Sequence, residues 1–129
     1  MSDDKKFCEA DESIGLFYLF GSMANGSHGP TSDYDFAVYF DPEKKVDITD
    51  KKLKLIADLS YVIKSNKVDL VVLNESISPE LKYAVIREGK LIFEREPFRV
   101  VVEPRIMNEY FDFRIVMLKY GLTQKVYVE

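Results

Sequence analysis

The sequence predicts an α/β (α+β) fold, in which helices pack on a small mixed sheet. Short apolar runs typical of strands alternate with segments that have helical periodicity along the 129 residues. The chain is 47% hydrophobic, which is enough for one core, and it is too short for two ordinary domains. We therefore expect a single domain over residues 1–129.

The first half of the chain is expected to supply two strands on either side of a loop of small residues. Residues 1–12 are either a frayed lead-in or a short helix, and the continuous apolar run 14–20 predicts a buried strand. Residues 21–29 are rich in small side chains, which indicates a tight turn with one short helix. Residues 33–40 alternate between two faces, so they predict a second strand.

The second half continues the alternation of helices and strands. Helices are predicted over 47–64, 76–87 and 97–120, and strands over 67–73 and 90–93. Ser78 followed by Pro79 is a suitable start for the middle helix, because proline is favoured in a first turn. Pro104 is expected to bend or break the last helix, since proline removes a backbone donor there.

Composition excludes several classes of function. The net charge of −4 argues against direct nucleic-acid binding, and no apolar run approaches the roughly 20 residues that span a bilayer. Cys8 is the only cysteine, so no internal disulfide can form. The polar N-terminal residues do not resemble a signal peptide. A reducing cytoplasm is therefore the expected location.

Three aspartates are candidates for a metal site. Asp33 and Asp35 are two residues apart on the predicted strand, so their side chains project to the same side and repel each other. Such carboxylates suit Mg²⁺, which proteins usually hold with one or two carboxylates plus substrate phosphates. Asp69 interrupts the apolar run KVDLVVL. If that strand lies beside the 33–40 strand, all three acids converge at one edge of the sheet.

The loop before these acids has the features of a phosphate site. Gly21-Ser22 is a turn that enters a short helix, and it offers backbone N–H groups and a hydroxyl. Phosphate donors followed by metal-binding acids form the two halves of a metal-dependent nucleotide site. Two Mg²⁺ ions in such a site can activate an attacking hydroxyl and stabilise a leaving pyrophosphate.

Gly21-Ser22, ten residues and then Asp33-Tyr34-Asp35 resemble the GS-x10-DxD pattern of DNA polymerase beta-like nucleotidyltransferases. The surrounding LFGSMANGSHGPTSDYDFAVYF is similar to the corresponding segment of the minimal nucleotidyltransferases, the antitoxin partners of HEPN toxins. The resemblance covers nearly the whole chain and implies the polymerase beta-like fold. One position departs from the pattern, because Asn25 stands where that family usually has arginine.

The resemblance implies a specific activity. Members of that family act in type VII-like toxin-antitoxin systems, where they transfer AMP from ATP to a tyrosine hydroxyl of a cognate HEPN RNase toxin and so neutralise it. By the matched positions, Asp33 and Asp35 would bind two Mg²⁺ ions. Asp69 would hold the catalytic ion and help to take the proton from the tyrosine, while Gly21 and Ser22 would bind the triphosphate.

Two further positions belong to the predicted nucleotide-binding set. Asn25 keeps a hydrogen-bond donor but lacks the charge and the fork geometry of arginine. Ser32 directly precedes Asp33, where it is either a nucleotide contact or a local hydrogen-bonding residue of the turn.

The last predicted helix carries two adjacent apolar stripes. One consists of Ile106, Tyr110, Phe113 and Met117, and the other of Met107, Phe111, Ile115 and Leu118. This arc is either a deeply wrapped core helix or a surface covered by a partner chain, such as a HEPN toxin bound through residues 105–120 or a second copy. Two functional alternatives also remain: a non-catalytic module that binds and occludes a toxin, and transfer of nucleotide to a small hydroxyl compound.

Overall fold

The structure is a computed structural model, and it describes residues 2–26 and 33–121. Within these residues the helices are α1 (Ser2–Ala10), α2 (Ser22–Asn25), α3 (Ile48–Ile63), α4 (Pro79–Glu88) and α5 (Phe98–Lys119). The strands are β1 (Ile14–Phe20), β2 (Tyr34–Phe40), β3 (Val68–Val72) and β4 (Lys90–Glu94). A single 3-10 turn over Pro42–Lys44 follows β2.

The four strands form a mixed sheet in the order β3-β2-β1-β4. β1 is antiparallel to both β2 and β4, whereas β2 and β3 are parallel. A parallel pair needs a long crossover connection, and α3 supplies it between β2 and β3. The predicted fold class, a small mixed sheet with packed helices, is confirmed.

Helices cover both faces of the sheet. Phe17 and Phe36 point to the face that packs against α1 and α3, here called the back face, where Leu55 and Leu59 are buried. Alternate strand residues point to the opposite front face, which α4 and α5 cover. Because β1 and β2 are central and covered on both sides, they carry nearly continuous apolar runs.

Two helices begin at the residues that local chemistry predicts. The Asp47 carboxylate accepts a hydrogen bond from the Asp50 backbone N–H at 3.2 Å, and the Ser78 hydroxyl accepts one from the Leu81 N–H at 3.1 Å. Each cap satisfies a backbone donor that has no partner within its helix. With these caps, α3 begins one residue and α4 three residues after the predicted start.

The last helix is not broken at Pro104, and the alternative expectation of a bend there stays a prediction. α5 is assigned as one helix from Phe98 to Lys119 with Pro104 inside it. Proline leaves the carbonyl four residues earlier without its usual helical donor. That residue is Val100, which is exposed, so water can hydrate the carbonyl. Of the helices in the described ranges, none combines the length and apolarity needed to cross a membrane.

Candidate active site

The parallel pairing of β2 and β3 places Asp35 directly beside Asp69. The two residues are register partners, and the pairing begins with a hydrogen bond of 2.8 Å from the Tyr34 N–H to the Lys67 carbonyl. Asp35 is two residues before Ala37 on the same strand, so both side chains project to the front face, where Ala37 is buried. Both carboxylates therefore lie on the front side of the sheet, at the amino ends of their strands. The condition set for the convergence of these acids, that the 67–73 strand lies beside the 33–40 strand, is therefore met.

The third acid acts on the same site through its charge. Asp33 is exposed and immediately precedes β2. The pKa of Asp35 is raised above its ordinary value, first by partial burial and then by the negative charges of Asp69 and Asp33. The structure therefore brings the three predicted acids into one electrostatically coupled group.

The end of β1 fits closely against Asp35. Phe20 is the register partner of Asp35, and Gly21 follows it with φ 76° and ψ −157°. That backbone conformation belongs to a region that essentially only glycine adopts. A Cβ atom at Gly21 would lie 2.5 Å from Asp35 Oδ2. The Gly21-Ser22 turn and the carboxylates therefore share one edge of the sheet.

The short helix expected within residues 21–29 is α2, which follows this turn directly. α2 has four residues, and Gly26 follows it in the left-handed conformation with φ 79°. So short a helix has few aligned peptide dipoles. Phosphate binding at this turn would therefore depend on individual N–H groups and on the half-buried Ser22 hydroxyl, rather than on a helix dipole.

Two of the predicted nucleotide contacts cannot be placed in this geometry. Ser32 lies outside the described residues. Asn25 is the last residue of α2, and its side chain is also outside the described part.

The chemistry of the three acids determines which metal ion they could hold. Over residues 2–26 and 33–121, no three His, Cys, Asp or Glu side chains are arranged as a preformed metal cluster. Mg²⁺ rarely occupies an all-protein cage, because it keeps several ligands from water and substrate phosphates. A coupled, partly exposed set of carboxylates beside a phosphate-compatible turn fits a Mg²⁺ site that is completed by a nucleotide.

This coupling makes stability without metal depend on pH. Because the pKa of Asp35 is raised above 3.8 on folding, the folded protein binds more protons than the unfolded chain just above that pH. The contribution of protonated Asp35 to the free energy of unfolding is fully present below pH 3.8. It is lost as pH rises through the raised pKa of Asp35. At pH 7 in EDTA, Asp35→Asn removes one of these mutually repelling charges, so we expect it to increase Tm. The increase should be only roughly 1–4 °C, because solvent weakens the repulsion between partly exposed charges.

Thermal melts between pH 3.5 and 7, with and without Mg²⁺, measure this effect. Mg²⁺ should raise the Tm of the wild type and should leave that of Asp35→Asn nearly unchanged. A wild-type Tm that exceeds the variant's throughout neutral pH in EDTA would contradict the proposed repulsion.

Sequence reasoning missed a second feature on the front side, between α4 and α5. It contains two Tyr-x3-Arg pairs, YAVIR over 83–87 and YFDFR over 110–114. The groove of about 420 Å³ is lined by Tyr83, Arg87, Tyr110, Phe111, Arg114, Ile115 and Leu118, and is here called the α4–α5 groove. The repeated spacing was the available signal, because residues four apart lie on one side of a helix.

Comparisons with known proteins agree with this geometry. The family model described as Polymerase beta, Nucleotidyltransferase matches residues 4–98. The protein adenylyltransferase MntA of Aphanizomenon flos-aquae (strain 2012/KM1/D3) is 36% identical over 87 residues, which are 63% of this chain and 57% of that protein. The chain thus matches little more than half the length of this curated relative.

Solved structures show the same fold. A crystal structure of a toxin-antitoxin with AMP-PNP superposes with a TM-score of 0.73 and 25% identity, covering 93% of this chain and 95% of that chain. A tri-AMPylated Shewanella oneidensis HEPN toxin in complex with MNT antitoxin gives a TM-score of 0.62 and 24% identity, covering 87% of this chain and 83% of the matched chain. With three coupled acids beside a glycine turn on a mixed sheet, and a family model that matches most of its length, the chain belongs to the polymerase beta nucleotidyltransferase family.

Proposed function

We propose that this chain is an antitoxin that transfers AMP from ATP to a tyrosine hydroxyl of a HEPN toxin. The observation that carries the proposal is the register pairing of Asp35 with Asp69 beside Gly21, in a chain of the nucleotidyltransferase family. Those residues supply the acid half and the phosphate half of a nucleotide site. We propose Asp33, Asp35 and Asp69 as the catalytic set. We propose Gly21, Ser22, Asn25 and Ser32 as the nucleotide contacts.

The proposed reaction is an in-line displacement at the α-phosphorus of ATP. The partner's tyrosine oxygen forms the new P–O bond, the bond to pyrophosphate breaks, and the hydroxyl proton passes to the Asp69 carboxylate. Asp33 and Asp35, with Asp69, would hold two Mg²⁺ ions, which neutralise charge on the triphosphate and the leaving group. Because the nucleophile belongs to the partner, this chain needs no reactive serine or cysteine of its own.

The related proteins support both the donor and the acceptor in this proposal. The MntA relative is named a protein adenylyltransferase, and one similar structure contains AMP-PNP, an analogue of ATP. The similar Shewanella oneidensis complex contains a HEPN toxin that carries more than one AMP. We extend the proposal accordingly to successive transfers onto one acceptor.

Incubation with α-³²P-labelled ATP, Mg²⁺ and a candidate HEPN protein tests the proposal. Label on a tyrosine of the partner is the expected result. Label only on small molecules would instead favour a hydroxyl-compound acceptor. Tight binding without transfer would identify a module that acts by occlusion, the candidate that the exposed surface of α5 also suits.

The outer surface of α5 supports a protein partner. Met107, Phe111, Ile115 and Leu118 are each between 38% and 62% exposed, and they form the outer stripe of this helix. The other predicted stripe faces inward, where Ile106 is buried on the front-face core. A contiguous row of exposed large apolar side chains is typical of a surface that a partner covers. We propose that the toxin binds this outer stripe.

Ile115→Glu tests the docking surface. A charge at the centre of the stripe would have to be desolvated on binding, so we expect the Kd for the partner to rise at least about tenfold. Calorimetric titration with the partner measures the change. Tyr61→Glu is the matched control, because Tyr61 is 85% exposed on α3, which covers the back face. Equal effects of the two substitutions would contradict a specific surface on α5.

A further inference from the structure

The α4–α5 groove combines an aromatic wall with two guanidinium groups. The Tyr83 and Tyr110 rings are stacked with centroids 4.0 Å apart, and the Phe111 ring meets both edge-on. Arg87 donates a hydrogen bond of 3.2 Å to the Tyr83 hydroxyl, and Arg114 donates one of 3.1 Å to the Tyr110 hydroxyl. The groove therefore presents the guanidinium of Arg87 along an aromatic surface.

Arg87 is available to a ligand. Its side chain is exposed, and within the described residues no carboxylate forms an ion pair with it. Its guanidinium carbon lies 6.0 Å from the centre of the Tyr83 ring, so the charge is held beside the aromatic wall. An arginine in this position can meet a phosphate with two parallel hydrogen bonds.

The groove lies on the same face and at the same end of the sheet as the acids. Tyr83 packs on the front-face core, the face toward which Asp35 points. Gly89, which ends α4, comes so close to β1 that a Cβ there would be 3.3 Å from the Phe20 Cβ. Phe20 is paired with Asp35, and Arg87 precedes Gly89 by two residues. The basic groove and the acidic site are therefore neighbours along the end of the sheet.

The lining selects for a nucleotide. A phosphodiester suits Arg87, and a base suits the aromatic wall, because every base has a face that can stack on a ring. A volume of about 420 Å³ is within the usual range for a small-molecule site. An acidic peptide would pair with Arg87 but would leave most of the aromatic surface without a matching partner.

We propose that the α4–α5 groove binds an AMP group already attached to the acceptor, and so positions it for the next transfer. This inference rests on the proposed function. In the second round, a ribose hydroxyl oxygen of the bound AMP forms a bond to the α-phosphorus of a new ATP. Pyrophosphate leaves as its bond to that phosphorus breaks, and the hydroxyl proton passes to Asp69. Arg87 acts as a positioning residue that holds the attached phosphate.

Arg87→Gln separates the first transfer from later ones. Time-resolved intact mass spectrometry of the partner should show the first AMP added at the wild-type rate, and later additions slowed by roughly tenfold or more, as for loss of a charge-assisted hydrogen bond. The partner's Kd should stay unchanged. Arg105→Gln is the control, because Arg105 is an exposed arginine on α5 outside the groove.

The mass spectra distinguish failure of this inference from failure of the proposed function. An equal loss in every round would assign Arg87 to ATP binding or to toxin docking and would overturn the inference. Later additions at the wild-type rate in Arg87→Gln, or a single addition by the wild type, would also overturn it. In each of these outcomes the partner still receives AMP, so the proposed function stands. Absence of any AMP on the partner would overturn the proposed function and this inference together.

A binding measurement that needs no activity tests the groove directly. In NMR titrations with AMP alone, without Mg²⁺, we expect shifts of the Tyr83 and Tyr110 ring signals. Arg87→Gln should raise the Kd for AMP by roughly tenfold, and Arg105→Gln should leave it unchanged. Ring signals that do not respond to AMP, or an equal affinity of both variants, would overturn the assignment.

Discussion

Replacement of both Asp33 and Asp35 by Asn is expected to abolish AMP transfer while the protein stays folded. Loss of both carboxylates would remove metal charge stabilisation of several kcal/mol at the transition state, which corresponds to a rate decrease of roughly a thousandfold or more. The fold should persist because Asp33 is exposed and Asp35 is only half-buried. Moreover, the charged form of Asp35 is disfavoured in the folded protein.

Rates of partner labelling from ATP, together with circular dichroism melts, measure both parts of this expectation. The charge-matched control is Asp50→Asn with Asp58→Asn, since both residues lie on α3, which covers the back face. A double Asn variant at positions 33 and 35 that labels the partner at the wild-type rate would show that the acids are not the catalytic site.

Gly21→Ala should be the most damaging single methyl addition at the site. Its backbone conformation, φ 76° and ψ −157°, costs a residue with a side chain about 1–3 kcal/mol. The added Cβ would also be 2.5 Å from Asp35 Oδ2, so the carboxylate or the turn must move. We expect lower stability by that amount, and a roughly hundredfold loss of transfer from misplaced reacting groups.

Gly26→Ala is the control that separates backbone strain from the contact with Asp35. Gly26 also has a positive φ of 79°, but a Cβ there meets no atom of residues 2–26 and 33–121 within 4 Å. Gly26→Ala should lower the free energy of unfolding by about 1–2 kcal/mol, because a residue with a side chain is disfavoured in the left-handed conformation. It should have little effect on the rate of AMP transfer. Urea denaturation and labelling rates of both variants provide the comparison. Equal losses of transfer would contradict a specific role for Gly21 beside Asp35.

Local chemistry predicted most of the elements. The apolar run of β1 and the alternation of β2 reflect burial on two faces, and the caps at Asp47 and Ser78 depend on neighbouring backbone donors. The predicted break at Pro104 does not occur, because the consequence of a missing donor depends on whether the freed carbonyl can be hydrated. The exposure of Val100 decides that, and local sequence does not reveal it.

The candidate nucleotide site was predictable only in part. The spacing of Gly21-Ser22 and the two acids before and in β2 identified the candidate residues by resemblance. The α4–α5 groove was missed, because its two Tyr-x3-Arg pairs are 27 residues apart in the chain and each alone is a common helix-surface pair. Helix packing, which no local pattern specifies, stacks the two tyrosines.

Local spacing and side-chain chemistry were sufficient to predict the strand and helix periods, the family resemblance and the three candidate acids. Only the tertiary structure decided that β3 lies parallel beside β2, which makes Asp69 the register partner of Asp35. It also decided which stripe of α5 is buried and which is left exposed. Strand order and helix docking depend on contacts between residues distant in the chain, where competing arrangements differ by packing that no single segment encodes.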